Sequence, residues 1–148
     1  MNEVKKILVP VDFSENSHKI VESAANLAAQ LEAEVTLVFV VQSFADYSGF
    51  FVPHVPLAQF EDEMTQGARK KMDEFLAAHQ HPGVTIKGEI LKGDVVEEIN
   101  RFAADEKVDL IVMGTHGYKG LEKILFGSVA EQVVKTAPCP VLTINPYR

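Results

Sequence analysis

Lys5 to Ser17 reads KKILVPVDFSENS, and the order of its parts decides the fold. Two lysines lead into Ile7-Leu8-Val9-Pro10-Val11, a short and nearly continuous apolar run. Such a run has no polar face, so it suits a strand buried on both sides, as in a parallel sheet. Asp12 follows at once, and Ser14 stands where a helix N-cap belongs. Behind it Ile20, Ala24, Leu27, Ala28 and Leu31 recur at helical spacing. Strand, polar turn, capped helix: the rest of the chain repeats this unit.

Val35 to Val41 (VTLVFVV) is a second buried, β-branched run. Gln42 to Pro56 then loses all period, with two prolines, one glycine and the aromatics Phe44, Tyr47, Phe50 and Phe51. It reads as a long connection or lid whose aromatics fit packing on a neighbouring helix, closure over a ligand, or contact with a partner. From Leu57 a helical period returns through Phe60, Met64, Ala68, Met72, Phe75 and Leu76, and His81-Pro82-Gly83 ends it. Val84 to Leu91 alternates as a half-covered or edge strand does. Gly93 turns the chain, Asp94 and Glu97 form a capping box, and Val95, Val96, Ile99, Phe102 and Ala103 make a helix face. Val108 to Met113 (VDLIVM) is a fourth strand. A glycine-bearing loop leads to a helix beginning near Ser128, with Val129, Val133, Val134 and Ala137 on one side. Pro138 stops it, and Val141 to Ile144 (VLTI) is the last strand.

Strands alternating with helices imply right-handed crossovers, hence one α/β domain with a parallel sheet covered on both faces. The 148 residues and 47% apolar content suit a single core across 1–148. The polar start MNEVKK is unlike a signal peptide, and no apolar stretch is long enough to span a bilayer. One cysteine excludes an internal disulfide, and Cys139 between two prolines reads as a small buried apolar residue. Together these point to the cytoplasm. A net charge of −7 argues against nucleic acid as partner while leaving room for a small phosphate ligand held by backbone amides.

Open parallel sheets bind ligands beyond the carboxyl ends of their strands, where the strand order reverses. If the first and fourth strands are central neighbours, that crevice lies between Pro10-Val11-Asp12 and Met113-Gly114. Asp12 is a lone carboxylate at the end of a buried strand. Gly114-Thr115-His116-Gly117-Tyr118-Lys119-Gly120 opens a loop that runs on to Gly127-Ser128. Glycines let backbone N–H groups approach an anion, and a helix N-terminus adds further N–H groups and a positive dipole end. Each residue also has a plainer explanation. Ser128 with Glu131 is a capping box, Asp12 can cap the first helix, and the glycines can serve turns alone.

Gly114-x2-Gly117-x9-Gly127-Ser128 resembles the G-2x-G-9x-G-[S/T] nucleotide motif of the universal stress protein family, in its ATP-binding branch. The opening KKILVPVDFSENS and the closing GSVAEQVVKTAPCPVLTI are similar to that family's two ends, so the resemblance covers the chain. It implies a Rossmann-like five-stranded sheet of order 3-2-1-4-5 and a homodimer paired through Val141 to Ile144. It places Pro10 and Val11 along the nucleoside, Asp12 on the adenine or ribose, and the Val40 backbone on the adenine. Met113 and Gly114 fall beside the ribose, and Gly117, Gly127, Ser128 and Val129 around the phosphates. The ligand it implies is ATP, with magnesium or manganese on its phosphates.

No catalytic or protein-held metal residues stand out. There is neither a G-x-x-x-x-G-K-[ST] loop nor an S-G-G-x-D-S loop after the first strand. His18, His54, His79 and His81 show no triad or metal spacing and read as surface residues. The expectation is a nucleotide-binding stress or regulatory protein with at most slow hydrolysis or self-phosphorylation. The alternative is a dimeric interaction module of the same fold that needs no nucleotide.

Overall fold

The first unit folds as its sequence dictates. In the computed structural model, which describes residues 3–42, 57–116 and 126–148, β1 spans Lys6–Pro10 and α1 spans Glu15–Leu31. Ser14 is extended and its hydroxyl accepts the Ser17 N–H, so α1 starts where a capping serine predicts. The remaining elements are β2 (Glu34–Gln42), α2 (Leu57–Ala78), β3 (Ile86–Gly93), α3 (Val95–Asp105), β4 (Leu110–Gly114), α4 (Phe126–Thr136) and β5 (Val141–Ile144). Asp94 caps α3 by accepting the Glu97 N–H at 3.1 Å.

The five strands form one parallel sheet of order β3-β2-β1-β4-β5. Successive side chains of the central strands leave on opposite faces, and both faces are apolar. Ile7, Val9, Val11, Val35, Leu37 and Val112 pack with Ile20, Val21 and Ala24 of α1 and with Met72 and Phe75 of α2. Leu8, Val38, Ile111 and Met113 pack with Ile99 and Ala103 of α3 and with Ala130 and Val133 of α4. Each such fully buried side chain stabilises the fold by roughly 1.5–3 kcal/mol.

Two boundaries differ from the sequence reading. The third strand runs Ile86–Gly93 instead of Val84 to Leu91, because the Val84 N–H closes a turn onto the His81 carbonyl at 3.1 Å. Its ladder with β2 then continues to Gln42↔Gly93. The last helix begins at Phe126, so Ser128 lies inside its first turn and is not its cap. Every position of β3 is exposed or half-buried, as its place at the sheet edge requires. The connection from 43 to 56 lies outside the described residues.

Candidate functional site

The central strands part company at their carboxyl ends. β1 and β4 are partnered at Ile7↔Leu110 and Leu8↔Ile111 and at no later position. Beyond these, β1 pairs outward with β2 up to Pro10↔Val38, and the Val11 N–H donates to the Val38 carbonyl at 2.9 Å. β4 pairs outward with β5 up to Gly114↔Ile144, and the Thr115 N–H donates to the Ile144 carbonyl at 3.0 Å. The two central strands therefore diverge where the strand order reverses, the place at which open parallel sheets take ligands; Pro10, Val11, Met113 and Gly114 are buried there and Asp12 is half-buried. Pro10, Val11 and Asp12 form one lip; Met113 and Gly114 form the other.

Asp12 is braced from within. Its Oδ1 accepts the Ser14 N–H at 2.9 Å and the Ser17 hydroxyl at 2.7 Å, while its own N–H donates to Ser17 Oγ at 3.0 Å. An aspartate bonding the amide two residues on is a known local turn. Asp12 is therefore not the cap of α1, which is Ser14; it braces the turn that leads into the cap. Both of these bonds use Oδ1, and among the described residues Oδ2 accepts none.

Phe13 adopts a left-handed backbone (φ 64°), a conformation costly for a residue with a side chain. Its ring compensates by stacking on Phe39 (centroids 4.8 Å apart) and meeting Phe75 edge-on at 5.7 Å. Asp12, next to that turn, is half-buried. Val40, next to Phe39 at the end of β2, is half-buried on the α3 and α4 side.

Gly114 has a packing reason to be glycine. A Cβ there would lie 3.1 Å from Ile20 Cγ1, so a side chain at this lip would have to push the buried Ile20 of α1 aside by a few tenths of an ångström. The next residues are tied to the C-terminus. Thr115 Oγ1 and His116 Nδ1 are 2.8 Å apart, and the His116 ring meets Tyr147 edge-on at 5.1 Å. Asn16 Nδ2 donates to the Tyr147 hydroxyl at 3.2 Å, and Lys19 Nζ donates to the Pro146 carbonyl at 3.1 Å. The tail thus straps the beginning of the glycine loop to α1, a link invisible in sequence because it joins residues over a hundred positions apart.

Of the remaining expected residues, Gly117 lies outside the described residues. Gly127, Ser128 and Val129 occupy the first turn of α4; Ser128 is exposed, and Val129 is half-buried against the core. The helix starts differ in charge. The first turn of α1 carries Glu15 and that of α3 carries Glu97 and Glu98, but that of α4 has no acidic residue. Among the described residues, no group of three or more histidines, cysteines or carboxylates could hold a metal ion. Burial, followed by the Asp109 charge, pushes the Cys139 thiol up against a weaker opposing bond from the Ile111 amide, so it is a poor nucleophile.

The comparison with known proteins agrees with this architecture end to end. The universal stress protein family profile matches residues 3–145. The chain belongs to the universal stress protein family. It is 41% identical to the universal stress protein MJ0531 of Methanocaldococcus jannaschii, over 97% of this chain and 84% of that one. The solved structure of MJ0577, from the same organism, superposes with a TM-score of 0.79 at 32% identity, covering 97% of each chain. The universal stress protein of Archaeoglobus fulgidus, solved in complex with dAMP, has a TM-score of 0.69 over 97% of this chain and all of that one. Its 22% identity makes that a likeness of fold. No helix among the described residues is long and apolar enough to cross a membrane.

Proposed function

We propose that this universal stress protein binds an adenine nucleotide, ATP, in the crevice between β1 and β4, as one domain spanning 1–148 in the cytoplasm. The observation that carries the reading is the parting of the two central strands, with a carboxylate on one lip and a glycine on the other. The helix starts supply the polarity. Asp12 and Glu15 repel phosphate but suit the hydroxyls of a ribose, whereas the first turn of α4 offers N–H groups without a competing carboxylate. The nucleoside therefore lies along Pro10, Val11, Asp12 and the Val40 backbone, with Met113 and Gly114 beside the ribose. Its phosphates lie at Gly117, Gly127, Ser128 and Val129. A magnesium or manganese ion would travel with the phosphates. The protein acts by binding, and any hydrolysis or phosphotransfer is slow.

The likeness to a fold that holds dAMP in the Archaeoglobus protein is compatible with this ligand class. A homodimer through β5 fits the same reading. Among the described residues β5 pairs on one side only, and Leu142 and Val134 are 43% and 54% exposed on neighbouring elements. A second copy would cover both the apolar side chains and the open edge. The low positive charge of the lips and the net charge of −7 give no footprint for nucleic acid.

The test is direct. Protein purified under native conditions and then denatured should release adenine nucleotide, and ATP with magnesium should bind the wild type in a calorimeter. Saturating ATP at one hundred times its dissociation constant should stabilise the fold by about 2.7 kcal/mol. Gly117→Val should bind far more weakly. A wild type without released nucleotide and without ATP heat refutes the proposal.

A further inference from the structure

Sequence spacing treats the histidines as unrelated surface residues, but the fold joins two of them. His79 Nδ1 lies 2.8 Å from the Phe75 carbonyl, and His79 Nε2 lies 2.6 Å from His18 Nδ1. A carbonyl can only accept, so His79 Nδ1 must carry a proton. In the neutral ring Nε2 then holds the lone pair, and His18 Nδ1 donates to it. The pair is stacked into an aromatic column. The His18 and His79 rings are 4.8 and 4.2 Å from Phe75, Phe75 meets Phe13, and Phe13 stacks on Phe39. The column runs from the joint between α1 and the end of α2 to the turn that presents Asp12.

We infer that the His18–His79 pair is a proton-operated clamp that sets how firmly the nucleoside end of the crevice holds its ligand. The inference rests on the nucleotide reading above and adds its regulation. One extra proton is tolerated: His18 then carries a proton on both nitrogens and still donates from Nδ1 to His79 Nε2. A second proton sets N–H against N–H across the same gap and leaves two like charges facing each other. The two rings must then separate, which loosens the joint between α1 and α2. Phe75 moves with His79, Phe13 loses its edge contact, and the strained turn bearing Asp12 loses its brace.

The surrounding charges fix the range. Glu15 and Glu22 of α1 and Glu74 of α2 favour protonation, while Lys71 and His81 oppose it; these residues face the pair or line the hollows beside it. Burial first, and the His79 ring second, push His18 below its ordinary value near 6.5 against the weaker pull of Glu15. The second proton therefore enters below about pH 6.5. His18 is exposed enough to exchange protons with water freely.

The probe is ATP with magnesium, titrated into wild type and His18→Asn at about pH 7.5 and about pH 5.5. Asparagine places an amide donor near the Nδ1 position but cannot take a proton. Protonation of ATP itself is common to both proteins. Wild type should lose about three- to tenfold more affinity on acidification than the variant, the equivalent of one hydrogen bond, with the two alike at the higher pH. In ligand-free protein, imidazole NMR should show His18 titrating below its ordinary value, and His79→Asn should move that titration upward. Amide exchange at Leu76 to Ala78 should quicken as the second proton enters. Parallel loss of affinity in both proteins, or independent titration with unchanged exchange, overturns the clamp. A wild type that binds no ATP at any pH would instead sink the nucleotide reading and the coupling to it, while the ligand-free titration would still decide whether the clamp exists.

Discussion

Asp12 offers the sharpest separation of a structural role from a binding one. Its Oδ1 accepts two hydrogen bonds, from the Ser14 N–H at 2.9 Å and the Ser17 hydroxyl at 2.7 Å. Asp12→Ala removes both and leaves a helix-start amide without its partner. At about 1 kcal/mol for each bond the loss should be about 2 kcal/mol. For a chain of this size that lowers the melting temperature by roughly 4–8 °C. Asp12→Asn keeps an acceptor at the Oδ1 position and removes only the charge and the second carboxylate oxygen. Its melting temperature should fall by less than about 2 °C. If Oδ2 receives a ribose or adenine donor, however, affinity for ATP should drop about tenfold or more, because a charged acceptor is lost. Thermal unfolding and calorimetric titration of the same three proteins read the two effects separately. Asparagine that binds ATP as well as wild type, beside an alanine variant that is merely unstable, would show that Asp12 braces the helix start and touches no ligand.

Gly114→Ala should cost about 1–3 kcal/mol by overpacking, since its methyl would sit 3.1 Å from Ile20 Cγ1. Pairing it with Ile20→Val in a denaturation cycle should recover part of that loss; additive effects would contradict the close approach. His18 should also make stability depend on pH. Its folded value lies below its ordinary one, so the unfolded chain binds more protons in that interval. The contribution is present above about pH 6.5 and is lost as pH falls through the lowered value, and His18→Asn should flatten that part of a urea-denaturation profile. Leu142→Arg, placing charge on the exposed face of β5, should shift the protein toward monomer in light scattering without lowering its melting temperature beyond about 2 °C. A wild type that is already monomeric would remove the β5 interface.

The sheet was legible because a strand buried on both faces has nowhere to hide a polar residue. The runs at Ile7, Val35 and Leu110 each announce themselves, and alternation with helices then fixes the parallel pairing. β3 was misplaced by two residues since its sequence alternates smoothly into the preceding turn, and only pairing with β2 decides where the ladder begins. Ser128 looked like a cap because S-x-x-E is a cap signature wherever it falls, yet α4 had already begun. Phe13 gave no warning, since nothing in a phenylalanine announces a left-handed backbone. The Ser17 brace on Asp12 could have been found from the short spacing of Asp12, Ser14 and Ser17. The histidine pair could not: it exists because α1 and α2 share a face of the sheet, which brings together residues 61 positions apart.

On the proposed nucleotide reading, the orientation of the ligand bears on what the protein can do with it. A general base for hydrolysis must reach a water beside the terminal phosphate. The carboxylate best placed in the crevice is Asp12, with Oδ2 uncommitted among the described residues. Yet Asp12 and Glu15 together make that end the least hospitable to phosphate, so in the proposed complex the polyphosphate would point toward the first turn of α4. The same charges that suit Asp12 to a ribose hydroxyl keep it at the wrong end of the molecule to serve as a base. Lys19, the cation of α1 nearest this lip in sequence, is held by the Pro146 carbonyl. On the proposed reading, electrostatic polarity thus divides the site into a carboxylate end suited to the nucleoside and a neutral helix start suited to the phosphates. That division favours holding ATP intact over splitting it.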